Sequence, residues 1–183
     1  KAKLVKDCPQ LSVRDYEALQ QLIDEKLIPA LAGSRDALLG AFDVLRELTA
    51  ERCGDIGRDI KWRLTEAILA DPAVRAVHRD HVLPAVQELS QVIRYADALL
   101  ERLRRIQPAA DQPESPVETE TLQLNAYTRR VERMANTLAE ATSGELARNT
   151  VRWVEMDAKN ENILRVARCP LEVGKPLAEW VYE

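Results

Sequence analysis

The sequence predicts a mainly α fold: a helical bundle organised around a long antiparallel helical hairpin, with a small C-terminal β-hairpin and a short helix. Three observations predict it. Residues 72–143 carry two apolar seams in which apolar side chains recur every three or four positions, on either side of a polar connector at 107–115. Helix-start signals precede these stretches, and from Val151 onward the spacing changes to that of strands.

In order along the chain, Ser12 is a good first cap, with Asp15 three residues later to answer it and Leu11 placed to staple onto Tyr16. Leu19, Leu22, Ile23 and Leu27 form the buried stripe of this helix, which Pro29 is expected to end or kink. A second helix is expected after Gly33-Ser34, with Leu38, Phe42, Leu45 and Thr49 on its inner face and Cys53-Gly54 closing it. A third is expected over Ile56 to Ala70, using Ile60, Leu64 and Ile68.

Asp71-Pro72 pairs a cap with a proline at the first helical position, where the missing amide proton costs nothing. The helix it starts should run to about Ile106 with a bend near Pro84. Val82, Val86, Leu89, Ile93, Ala96, Leu100 and Leu103 are spaced 4,3,4,3,4,3, the repeat that keeps one seam facing a partner helix. Ser115-Pro116-Val117-Glu118 starts the partner, along which Leu124, Tyr127, Val131, Met134, Leu138 and Ala141 repeat at 3,4,3,4,3. The two seams form a hairpin ~35 Å long if it projects, at the usual rise of about 1.5 Å per residue, or halves of a bundle core. After Ser143-Gly144, residues 151–156 and 163–167 are rich in strand formers around a turn-like stretch, and Gly174-Lys175-Pro176 introduces a short helix with Leu177, Trp180, Val181 and Tyr182. The expected organisation is a helical part over 1–150 and a strand-and-helix segment over 151–183.

Composition bounds the function. The 183 residues are 46% hydrophobic and 31% charged with a net charge of -4, so broad disorder is not expected and any nucleic-acid contact must use a local basic patch. Cys8, Cys53 and Cys169 are too few and too dispersed for a disulfide framework or a CxxC metal site, and they suit a reducing, intracellular setting. No apolar run reaches the roughly 18 residues of a membrane span, no signal peptide opens the chain, and no membrane partner is expected. The start without methionine suits an excised piece as well as a processed one.

Catalytic chemistry is poorly represented. No glycine-rich phosphate loop ending in Gly-Lys-Ser/Thr is present, and Gly174-Lys175 lacks the preceding glycines. His78 and His81, with Asp71 and Asp80 nearby, could face a metal together, but a third ligand is missing and a surface or helix-packing role is expected. Glu155 and Asp157 can share a strand face without a partner acid. The stronger signal is electrostatic: Arg102, Arg104 and Arg105 cluster at one end of the first arm helix, and Arg129, Arg130 and Arg133 lie on the second. Guanidinium groups grip phosphates, so these six are the candidate DNA-binding residues, with the acidic connector Asp111, Glu114, Glu118 and Glu120 keeping DNA away from the hairpin tip.

The residues Trp153, Val154 and Glu155, then Pro170, Leu171, Glu172, Val173 and Gly174, then Leu177 and Val181, give a resemblance to the DinG/XPD-like group of superfamily 2 DNA helicases. In that group a helical insertion, the arch, returns to the motor through a Trp-Val/Leu-Glu strand, a second strand and a Pro-Leu-Asp/Glu-Val-Gly turn. The match covers about the last thirty residues, and the preceding helices match in general layout only. The resemblance implies an arch-like accessory domain that shapes or guides single-stranded DNA during unwinding, in a cytoplasmic or nucleoid-associated helicase. ATP and magnesium would be cofactors of the intact helicase and not of this chain, which lacks the phosphate loop and the Asp-Glu-Ala-His motif and is expected to be inactive alone. An iron-sulfur cluster is likewise not expected here, because the cysteine spacing does not suit one, and the resemblance leaves it open for the whole protein. Partners would be single-stranded DNA and a replication, repair or other nucleoprotein factor. The alternative is a helical protein-interaction adaptor without enzymatic activity.

Overall fold

A computed structural model describes residues 12–54, 59–105, 118–144, 150–157 and 163–171. The fold is mainly helical with a small antiparallel sheet, as the sequence predicts. The first helix, α1 (Val13–Leu22), starts where Ser12 accepts a hydrogen bond from the Asp15 amide at 3.0 Å, while its hydroxyl donates to Asp15 Oδ2 at 2.6 Å. Leu11, the expected staple, lies outside the described residues, as do Ile56, Ile106, the connector and the start at 115–117.

The expected break at Pro29 and Gly33-Ser34 does not occur. The chain passes from α1 through a π turn at Ile23–Leu27 directly into α2 (Ile28–Cys53). The Ile28 amide donates to the Ile23 carbonyl, five residues back, and this wider turn relieves the clash between the Pro29 ring and the carbonyl one turn behind it. Gly33 sits where Glu88 approaches, a β carbon there lying 3.4 Å from Oε2, and the Ser34 hydroxyl donates to the Leu31 carbonyl at 3.0 Å instead of capping a new helix. The helix does stop at Gly54, whose φ of 70° suits glycine and whose amide donates to the Ala50 carbonyl at 3.0 Å.

The helix expected over 56–70 is also overturned. Residues Ile60–Arg63 form strand β1, with Ile60 and Trp62 buried and Lys61 and Arg63 exposed, a period of two that the helical reading of Ile60, Leu64 and Ile68 overlooked. Among the described residues of this stretch only Glu66–Ala70 (α3) is helical, capped by Thr65. Asp71 then caps α4 (Pro72–Val77) through a 2.8 Å bond from the Ala73 amide, with Pro72 in the first turn as expected, and pairs with Arg52 at 3.0 Å. A second π turn, His78–Val82, leads into α5 (Leu83–Arg104) with the same offset from its proline: the Leu83 amide donates to the His78 carbonyl and Pro84 follows. The partner helix is α6 (Glu118–Thr142).

Strands β2 (Thr150–Met156) and β3 (Leu164–Pro170) pair antiparallel, and β1 adds to the other edge of β2, giving three strands in the order β1-β2-β3 where two were expected. The third strand supplies support that a lone two-stranded ribbon lacks. The short helix expected around Leu177 and Val181 lies outside the described residues.

The chain divides into two compact units. One comprises Lys1–Asp36 with Gln87–Ala135, the other Ala37–Val86 with Asn136–Glu183. In the first, Leu19 and Leu27 pack with Val92, Ala96 and Leu99, flanked by Tyr16, Leu103 and Leu124. In the second, Leu48, Trp62, Leu64, Leu69, Val74, Val154 and Met156 fill the space beneath the inner face of the sheet, and Leu45, Val82 and Leu138 form an adjoining cluster. Fully buried side chains of this size each contribute about 1.5–3 kcal/mol relative to exposure.

The seams are broader than the expected ones. On α5 and at the end of the turn before it the buried positions are Val82, Ala85, Leu89, Val92, Ala96, Leu99 and Leu100, so two overlapping stripes are covered. On α6 the correction is sharper: Tyr127 and Met134, expected in the seam, are 64% and 56% exposed, and Thr128, Ala135 and Thr142 are buried with Leu138 and Ala141. The threonines are accommodated because each hydroxyl bonds inside its own helix, Thr128 to the Leu124 carbonyl at 2.8 Å and Thr142 to the Leu138 carbonyl at 2.9 Å, as Thr49 does to Leu45 at 2.7 Å.

Candidate nucleic-acid interface

The six arginines divide by what they already hold. Arg102 Nη1 donates to the Ala18 carbonyl at 2.7 Å and ties the end of α5 to α1. Arg129 pairs with Glu132 at 2.8 Å, and this hydrogen bond, followed by the charges of Glu132 and Asp97, raises its pKa further. Arg105 lies 4.0 Å from Glu101. Arg104, Arg130 and Arg133 are exposed and make no ion pair among the described residues. Leu103 of α5 and Leu124 of α6 share a cluster, and Asp97 acts on Arg129, so the helices run antiparallel in this unit. Arg105 is eight residues from the level of Arg129, about 12 Å at the helical rise. The two groups therefore form two steps along the hairpin rather than one patch.

The return segment lies in the sheet. Val154 is fully buried on the inner face, in register with Trp62 and Val166. Trp153 and Glu155 alternate with it and lie on the outer face. The Trp153 indole donates from Nε1 to Glu155 Oε1 at 2.8 Å, and Lys61 Nζ reaches the same oxygen at 3.2 Å. Trp153 and then Lys61 hold the Glu155 carboxyl below its usual pKa. Pro170 ends β3, Leu171 is exposed just beyond it, and Glu172, Val173 and Gly174 lie outside the described residues.

Register fixes the composition of the outer face. One row is Arg63, Trp153 and Ala167, and the next is Lys61, Glu155 and Arg165. Arg63, Lys61 and Arg165 are exposed. Sequence reasoning missed these three cations, two of them because β1 was read as helix; the signal was the alternation of Ile60, Trp62 and Leu64 with Lys61 and Arg63.

Of the two histidines, only His78 is packed. His78 Nδ1 lies 2.8 Å from Thr142 Oγ1, whose own proton goes to the Leu138 carbonyl, so His78 is the donor. Burial lowers its pKa. Exposed His81 does not join it, and among the described residues no group of three or more His, Cys, Asp or Glu could hold a metal ion. Cys53 and Cys169 are free thiols. The apolar groove of about 290 Å³ between Tyr16, Leu19, Ile23, Leu99 and Leu103 is rimmed by Asp24 and Glu120. Among the described residues no helix is long and apolar enough to cross a membrane.

These features define a helical domain with a small sheet and exposed cations on both. Comparison with family models, with curated proteins and with solved structures returns no match to this chain.

Proposed function

We infer that this chain is a non-catalytic, arch-like accessory domain of a DinG/XPD-like ATP-dependent DNA helicase, and that it borders and guides the single-stranded DNA path. The observation that carries this reading is the order of elements: a long helical hairpin, then a strand bearing Trp153-Val154-Glu155, then an antiparallel strand ending on Pro170, with Leu171 next. The resemblance places these residues in that order on the path back to the motor. ATP and magnesium belong to the motor, since the chain has no phosphate loop. Unpaired single strands present phosphates to cations and bases to aromatic rings, and of the six candidate arginines Arg104, Arg130 and Arg133 are exposed without an ion pair among the described residues, while Arg102 is held by the Ala18 carbonyl.

The test is made in the intact helicase. Replacing Arg104, Arg130 and Arg133 by glutamine should lower unwinding rate or processivity severalfold while leaving nucleotide affinity within twofold. Unchanged unwinding would sink the DNA-guiding role.

A second reading is supported by the outward face of α6, where Leu122, Tyr127 and Met134 are exposed beside Arg130. Aromatic, Met and Arg side chains are enriched in protein interfaces, so the arm also suits a replication or repair partner. Loss of partner recruitment with full unwinding in a Tyr127→Ala, Met134→Ala variant would favour this adaptor role.

A further inference from the structure

The exposed face of α6 carries its charges in a fixed order. Glu118 and Glu120 stand at the N-terminal end, Leu122, Ala126 and Tyr127 in the middle, and Arg130 and Arg133 beyond them, all of them exposed. Arg129, the third cation, is offset by Glu132 at 2.8 Å. Glu120 and Arg130 are separated by about 15 Å at the helical rise, too far to meet on one helix. None of Glu118, Glu120, Arg130 and Arg133 makes an ion pair among the described residues.

The charges of α5 do not erase this order. Where α5 ends, Glu101 and Arg105 lie 4.0 Å apart and offset each other. Arg102 and Arg104 stand there against Glu118 and Glu120, and the connector that joins the two helices adds Asp111 and Glu114 and no cation. Toward the other end, Asp97 acts on Arg129, and Arg94 lies over the Tyr95 ring at 5.1 Å. One end of the face is therefore acidic and the other basic, with the apolar side chains between them. Leu122 and Tyr127 are 63% and 64% exposed, so this centre is uncovered in the single chain.

An occupant of one sign satisfies only half of such a face, whereas a second copy laid antiparallel satisfies both halves. With a twofold axis at the level of Asn125, Glu120 comes opposite Arg130 of the second copy and Glu118 near its Arg133, and each pair occurs twice. Leu122, Ala126 and Tyr127 of both copies then surround the axis. We propose that the exposed face of α6 is a homodimerisation surface, on which two copies of this chain pair antiparallel through Glu120 and Arg130 around that apolar centre. The inference does not depend on the helicase reading. A second copy would cover the arm face assigned above to DNA or a partner protein and compete with either.

The test is sedimentation equilibrium of the 183-residue chain at low salt, where ion pairs are least screened. A single helix face is smaller than a standard interface, so the dimer belongs to the weak class, with a dissociation constant of about 1–100 μM. Arg130→Glu and Glu120→Arg, both on exposed side chains, each set like charges face to face twice and should each raise that constant at least about tenfold. Mixed in equal amounts, the two variants have opposite charges at both contacts and should dimerise within about threefold of the parent, a rescue that a misfolded variant does not give. A parent chain that stays monomeric up to about 1 mM overturns the proposal and leaves the face to a different partner. A dimer that neither charge variant weakens overturns it too, as does a mixture that stays monomeric.

Discussion

His78 shows how one half-buried imidazole makes this molecule sensitive to acid. Thr142 spends its proton on the Leu138 carbonyl, which leaves its oxygen to accept from His78 Nδ1. Burial holds the His78 pKa below its ordinary value of 6.5, so the folded state disfavours the extra proton that the unfolded chain accepts. The stability this group contributes is present above pH 6.5 and is lost as pH falls through the folded value. The urea midpoint should therefore drop between pH 7.5 and pH 5.5, and His78→Gln should flatten that drop; an unchanged profile in the variant would remove His78 from the account. Glu155 acts in the same direction at lower pH. Its depressed pKa means that its contribution is present above about 4.5 and fades below. Glu155→Gln should accordingly reduce the further loss of stability between pH 5 and pH 3, measured by the same urea titration.

At the scale of elements, α6 gives the clearest contrast between pattern and packing. Its register was legible in part: Leu124, Val131, Leu138 and Ala141 lie on the inner side as the spacing indicates. Tyr127 and Met134 do not, because Thr128 and Ala135 take the adjoining inner positions. Small side chains allow close helix approach, and a threonine whose hydroxyl bonds to its own helix behaves as an apolar residue, which a hydropathy pattern does not reveal. Leu138→Ala should cost about 2–5 kcal/mol, whereas Met134→Ala should stay within about 0.5 kcal/mol. Comparable losses in the two variants, measured by chemical denaturation, would contradict the observed register. The π turns were illegible for another reason. Proline signals an end, a kink or a bend, and at Pro29, as at Pro84 where continuation was expected, the preceding five-residue turn lets the helix continue. In β1 only four residues carry the alternation, too few to outweigh the helical spacing of Ile60, Leu64 and Ile68. Trp62→Ala should cost about 3–5 kcal/mol, since its ring fills the core beneath the sheet.

For the whole molecule, the two arm helices, the caps at Ser12 and Asp71 and the strand-rich end were legible because each rests on local spacing and capping chemistry. The division into two units was not, because α2, α5 and α6 each pass from one unit to the other and no composition shift marks the boundary. The candidate site was half legible. The arm arginines stand out as clusters in the sequence, but Arg102 and Arg129 are occupied by Ala18 and Glu132. The cations beside Trp153 become neighbours only through antiparallel pairing of strands about ninety residues apart in the chain, which no local pattern encodes. The central claim, that the chain guides single-stranded DNA for a helicase motor, is tested most directly by unwinding in the intact protein with Arg104, Arg130 and Arg133 changed to glutamine. The account predicts a severalfold loss of processivity with nucleotide affinity within twofold of the parent. Full processivity in that variant would contradict it.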